Sequence, residues 1–130
     1  MAGISAVRFY FRLFAGSIKA PQVVEFLKVL RATIGRRLLI IWDRLQAHRS
    51  RLVRQYVESE RGAIALEYLP PYAPELNPVE YIWAYLKSHA MPNYCAKDMF
   101  ALRTHASSRL RSMQRRRTLV AAFWQQAELF

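Results

Sequence analysis

L-P-P-Y-A-P-E-L-N-P-V-E, residues 69–80, runs into Y-I-W-A-Y-L-K from Tyr81 to Lys87, and the reading of this chain turns on that stretch. Pro70, Pro71, Pro74 and Pro78 each fix their own φ, so the loop is stiff and the start of the helix that follows is set locally. Asn77, Pro78 and Glu80 match the N-cap, first and third positions of that helix. Two roles for Glu80 fit this pattern. It can reach back to the Asn77 backbone in a capping box, or present a carboxylate for chemistry at a rigid corner.

Upstream, the apolar run Leu38-Leu39-Ile40-Ile41-Trp42 reads as a short buried strand beginning near Arg36, and it ends on Asp43. A lone acid at a strand end is commonly a turn residue or cap. Here a second acid, Glu80, follows after a helix, a strand and a stiff loop, a spacing that lets it return beside the first. Phosphodiester cleavage with two cations about 3.5–4 Å apart uses carboxylates from separate elements that converge at a strand end. Mg²⁺ is usually held by one or two such groups together with water and phosphate. Asp43 and Glu80 therefore suggest half of a metal site.

Around these segments the chain alternates strand and helix. Ile4 to Phe14 predicts one strand with a wetter face, on which Arg8, Tyr10 and Arg12 alternate with Phe9, Phe11 and Leu13. Val23, Phe26, Leu27, Leu30 and Ile34 form an apolar helical stripe after Pro21. Ser50 is placed to cap a helix with Leu52, Val53, Tyr56 and Val57 facing inward, and Gly62 ends that region before a strand at Ala63 to Tyr68. From Lys97 the pattern is helical, with Phe100, Leu110, Leu119, Val120, Phe123 and Trp124 in apolar stripes and Arg115-Arg116-Arg117 as a break. The order predicts an α/β sheet with helices on its faces.

The 130 residues fit one domain, and 53% hydrophobic content is enough for a packed core rather than a disordered chain. Twenty Lys and Arg against nine Asp and Glu give a net charge of +11, which favours a polyanion such as nucleic acid over a neutral metabolite. The excess is uneven: +7 over residues 1–50, −1 over 51–98 and +5 over 99–130. Arg8 and Arg12 interrupt the apolar N-terminus before an export signal forms, and no apolar run reaches membrane-spanning length, so a cytoplasmic protein with no membrane partner is expected. The single Cys95 has no internal disulfide partner and reads as a small, partly buried thiol. Arg44, Arg49 and Lys87 near the two acids are candidate phosphate contacts, with a solvated helix face as the alternative, and Arg115 to Arg117 fit a DNA contact and a solvated corner equally.

W-D-R-L-Q-A-H-R-S from Trp42 and L-P-P-Y-A-P-E-L-N-P-V-E-Y-I-W-A-Y-L-K from Leu69 resemble the catalytic core of DDE transposases, of the mariner-like type found in bacterial insertion sequences. F-Y-F-R-L-F-A-G-S-I-K and V-V-E-F-L-K-V-L resemble it more loosely, so that the likeness runs over most of residues 8 to 95. The resemblance implies a ribonuclease-H-like fold, incomplete at its N-terminus, with residues 1–95 as a partial catalytic core and residues 96–130 as a C-terminal helical extension packed on the same domain. It makes Asp43 the second and Glu80 the third acid of the triad, ligands for Mg²⁺ or Mn²⁺. His48 matches a histidine usual at its place, either structural or at the scissile phosphate. The implied partners are DNA, as insertion-sequence ends and target, and a second copy or an intact transposase.

The family's first aspartate lies on an earlier strand, whereas the acid that precedes Asp43 here, Glu25, falls within a predicted helix. The helix-turn-helix region that normally precedes the core is also unmatched. The chain therefore reads as the C-terminal portion of a transposase, with metal binding weak or absent and no activity alone. A non-catalytic DNA-binding remnant and an unrelated basic RNA-binding module, in which Glu80 only caps a helix, remain as alternatives.

Overall fold

The computed structural model describes residues 1–5, 8–14, 16–90 and 97–127. In chain order the elements are β1 (Ala2–Ile4), β2 (Phe9–Phe11), α1 (Ala20–Ile34), β3 (Leu38–Trp42), α2 (Arg51–Ser59), β4 (Ile64–Tyr68), α3 (Pro78–Tyr85), α4 (Met99–Gln114) and α5 (Arg117–Ala127). Short 3₁₀ turns occupy Gln46–Arg49 and Pro74–Leu76, and a π-helical turn, Leu86–Ala90, follows α3. The mixed α/β character matches the strand and helix pattern of the sequence. The chain divides into two compact units, one of Met1 with residues 16–73 and the other of residues 2–15 with 74–130. Cys95 and the expected boundary between residues 95 and 96 lie outside the described residues.

The first unit is built on a parallel pair, β3 beside β4, in register from Leu38 opposite Ile64 to Trp42 opposite Tyr68. Backbone bonds extend the pairing at both ends, Leu38 N–H to Ala63 O at 2.8 Å and Leu69 N–H to Trp42 O at 2.8 Å. Parallel neighbours need a crossover, and α2 supplies it. Ser50 Oγ accepts from Val53 N at 3.3 Å to start that helix. Helix α1 ends on Gly35, whose left-handed φ of 69° lets its N–H return to Arg31 O. Val23 and Leu27 of α1, Trp42 of β3 and Val53 of α2 form the buried centre, with Ile40, Tyr56, Val57, Leu66 and Tyr68 packed around it.

In the second unit β1 and β2 form an antiparallel hairpin, Ala2 opposite Phe11 and Ile4 opposite Phe9. Its core joins Phe9 to Ile82 and Leu86 and to Leu110, Met113, Val120 and Phe123 of α4 and α5. Gln114 Nε2 donates to Phe9 O at 3.0 Å, and Trp124 Nε1 donates to Ser5 O, so both C-terminal helices grip the hairpin by its backbone. Asp98 caps α4 by accepting from Ala101 N at 2.8 Å.

Four expectations are corrected. Ile4 to Phe14 is not one strand: Ile4 pairs antiparallel with Phe9, and Ser5 N–H and Ser5 Oγ both donate to Arg8 O, at 2.7 and 3.1 Å. The strands form two separate two-stranded sheets among the described residues, not one sheet. Leu52 is 43% exposed, because Val53 takes the fully buried position of the short helix α2. Phe100 is 71% exposed in the first turn of α4, whose buried residues, Leu110 and Met113, lie toward its far end.

Candidate functional site

Asp43 is the first residue beyond β3, at the carboxyl end of the parallel pair, where ligands of open α/β sheets commonly gather. Its Oδ1 accepts from Leu45 N at 3.0 Å, an Asx-type turn that bends the chain away from the strand. The same oxygen lies 2.9 Å from His48 Nδ1, which also approaches the Asp43 carbonyl at 3.3 Å. The 3₁₀ turn that carries His48 is closed by its own N–H to Leu45 O at 2.9 Å. The imidazole stacks on the Trp42 indole, with centroids 4.1 Å apart and planes 5° from parallel. The His48 side chain is only 10% exposed, against 50% for Asp43. The histidine is therefore held in the wall of the unit while the carboxylate meets solvent.

Arg44 and Arg49, flanking residues of the same turn, are exposed. The Arg44 guanidinium lies 5.7 Å from the Tyr68 ring centroid, and its Nε donates to Leu69 O at 3.3 Å. It thereby ties the turn after β3 to the start of the proline-rich loop. Within that loop Tyr72 takes a left-handed φ of 58° and its side chain is fully exposed.

Glu80 lies in the second unit, in the first turn of α3, and is exposed. The capping box open to it in the sequence is not formed. Asn77 Oδ1 accepts from Val79 N at 3.1 Å, and the Asn77 N–H is taken by Pro74 O at 3.0 Å, so the group a capping glutamate would bind is already occupied. Among the described residues the Glu80 carboxylate has no hydrogen-bond or ion-pair partner. Lys87 falls in the π-helical turn beyond α3 and is exposed.

Arg115, Arg116 and Arg117 form the corner between α4 and α5, all exposed. Arg116 is engaged: its Nη1 donates to Tyr85 Oη at 2.8 Å and its guanidinium sits 5.8 Å from the same ring centroid. Tyr85 in turn stacks on His89, centroids 4.6 Å apart, and meets the Phe123 edge at 5.9 Å. In the sequence this cluster shows only as the four-residue spacing of Tyr85 and His89, which makes them neighbours on a helix face.

The structure thus gathers Asp43, Arg44 and His48 around one turn of the first unit, and places Glu80, Lys87 and the arginine corner in the second. As donors for a hard divalent cation the two acids fit: both offer carboxylate oxygen, and among the described residues Asp43 Oδ2 and both Glu80 oxygens have no protein partner. Among the described residues no group of three or more His, Cys, Asp or Glu is arranged to hold a metal. No helix among them is long and apolar enough to cross a membrane.

A protein from Sinorhizobium fredii described as uncharacterized protein y4pE/y4sA is 43% identical over 42 residues, 32% of this chain and 31% of that protein. The matched stretch spans about a third of that relative's length. A family model described as DDE superfamily endonuclease matches residues 5–103, well over half of the chain and inclusive of Asp43, His48 and Glu80. The chain belongs to the DDE superfamily of endonucleases.

Proposed function

We propose that these residues are the C-terminal portion of a mariner-like transposase of the bacterial insertion-sequence type, with a ribonuclease-H-like catalytic core that acts on DNA in transposition. Residues 1–95 belong to the partial core and residues 96–130 to a helical extension. Asp43 and Glu80, as second and third acids of the triad, are the residues that would hold a divalent cation, Mg²⁺ or Mn²⁺. The observation that carries this reading is the pair of spare carboxylates: Asp43 at the carboxyl end of a parallel strand with one oxygen uncommitted, and Glu80 relieved of capping by Asn77 and the Pro74 carbonyl. Bound cations would activate the attacking oxygen and offset charge on the leaving oxygen of a phosphodiester.

The residues of the chain supply orientation around that chemistry. Arg44, with Nε fixed on Leu69 O, presents its remaining N–H groups as a planar fork for a phosphate near Asp43. Arg49 in the first unit and Lys87, Arg115 and Arg117 in the second add exposed positive charge for DNA phosphates. Arg116, engaged by Tyr85, contributes by charge, and His48, engaged by Asp43, contributes by position. The first acid of the triad is supplied from outside these residues, so the chain by itself binds cations weakly and does not cleave. Its partners are DNA, as element ends and target, and further transposase subunits, in the nucleoid-containing cytoplasm.

Thermal unfolding with and without Mn²⁺ at fixed ionic strength tests the reading, using the native chain and Asp43→Ala. An upward shift lost in Asp43→Ala is expected; an equal shift in both proteins overturns it. A second reading, a DNA-binding remnant without catalysis, is favoured by the net charge of +11. It predicts DNA binding that is unaffected by Asp43→Ala and by Mn²⁺.

A further inference from the structure

His48 lies beside the proposed ligand Asp43 but is itself shut away from solvent, and its contacts define what it can do. A carboxylate and a backbone carbonyl are both acceptors only. The ring nitrogen placed 2.9 Å from Asp43 Oδ1 and 3.3 Å from Asp43 O must therefore carry the proton, whether the imidazole is neutral or charged. The ring cannot easily turn away, because it lies flat on Trp42 and its backbone is closed in the 3₁₀ turn. Leu45 N–H donates to the same carboxylate oxygen. Two donors thus converge on Oδ1 of a half-exposed side chain, and Oδ2 has no protein partner among the described residues.

From this geometry we infer that His48 is a positioning residue for Asp43: its Nδ1–H fixes one carboxylate oxygen so that the other is held ready for a divalent cation. The inference rests on the reading of Asp43 as a metal ligand. An exposed aspartate free to rotate loses rotamer freedom when it binds a cation, and anchoring it in advance removes part of that loss. Groups that hydrogen-bond to metal ligands in this way typically govern metal affinity by about 10–100-fold. Packing on Trp42 alone would ask only for a flat ring; the hydrogen bond is what asks for histidine.

Two substitutions in the full chain separate the roles. His48→Phe keeps a ring on Trp42 and removes the donor, whereas His48→Asn keeps a donor near the Nδ1 position and removes the ring. Free Mn²⁺ is followed by electron paramagnetic resonance, unfolding is measured without metal, and the imidazole nitrogens are observed by NMR in the metal-free protein. We expect His48→Phe to unfold near the native midpoint yet bind Mn²⁺ about tenfold more weakly or worse. His48→Asn should unfold earlier but bind more tightly than His48→Phe. Native-like Mn²⁺ affinity in His48→Phe, together with its loss in Asp43→Asn, overturns the inference and leaves the metal-ligand reading standing. Native-like binding by Asp43→Asn, or none by the native chain, overturns both. An unprotonated Nδ1 overturns the inference without reference to metal. Should His48→Phe fail to fold, affinity in His48→Asn as low as in Asp43→Asn overturns it instead.

Discussion

Glu80→Gln and Asn77→Ala, made separately, should have opposite effects on fold and metal response. Asn77 Oδ1 accepts from Val79 N at 3.1 Å, and its removal leaves an N–H of the first turn of α3 without that acceptor. Losing such a cap costs about 1 kcal/mol. In a chain of this size that lowers the midpoint by roughly 3–5 °C. Glu80 is exposed and has no partner among the described residues, so the isosteric Gln removes only a negative charge near the positive end of the helix. That interaction is worth about 0.3 kcal/mol at an exposed site, a midpoint change of roughly 1 °C. With Mn²⁺ at a hundred times its dissociation constant, the native chain should gain about 2.7 kcal/mol. Circular dichroism melts in chelator and in Mn²⁺ would then show Asn77→Ala destabilised with its metal shift intact, and Glu80→Gln native-like in chelator with its metal shift reduced. The reasoning is refuted if Glu80→Gln melts as early as Asn77→Ala in chelator and still shifts with Mn²⁺ as the native protein does.

Leu27→Ala, at a fully buried position packed with Val23, Trp42 and Val53, should cost about 3–5 kcal/mol in urea unfolding; a loss below about 1 kcal/mol would mean that this core is loosely packed. If about six of the basic side chains meet phosphate, affinity for duplex DNA should fall roughly a thousandfold between 50 and 200 mM salt, and a flat curve would remove DNA as the polyanion. Tyr56 is held above its ordinary value of 10.0, first by burial and then by the nearby Glu60 charge and its hydrogen bond, with Arg31 opposing. The folded state therefore keeps the phenol proton more tightly than the unfolded state, so this contribution to stability is whole below pH 10 and is lost as pH rises through the raised folded value. Tyr56→Phe should flatten that alkaline decline in melts taken across the window; an unchanged slope would refute the assignment.

Much of the architecture was legible because its signals are local. Pro21 and the stripe of Val23, Phe26 and Leu27 mark α1, Ser50 marks the start of α2, and the apolar run to Trp42 marks β3 with Asp43 at its end. Each signal spans only a few residues, the range over which helix periodicity and caps operate. The hairpin escaped because the alternation around Phe9 is the same in a long strand and in half of a hairpin; the difference lies in Ser5 bonding Arg8 O and in Trp124 and Gln114 holding the hairpin backbone from more than a hundred residues away. Phe100 was misplaced because a helical stripe does not say how far along the helix its partners extend.

At the candidate site the division follows the same physics. Residue types and spacing singled out Asp43 and Glu80, because a strand end, a stiff proline loop and a helix start are properties of short segments, whereas His48 entered only through the resemblance to DDE transposases. Tertiary structure decided what each side chain does. His48 is stacked on Trp42 and bonded to Asp43, and the Asn77 N–H is taken by Pro74 O rather than left for Glu80. Those outcomes depend on which donors and acceptors compete for each other once the backbone is fixed in three dimensions, and a one-dimensional pattern of residue types does not contain that competition.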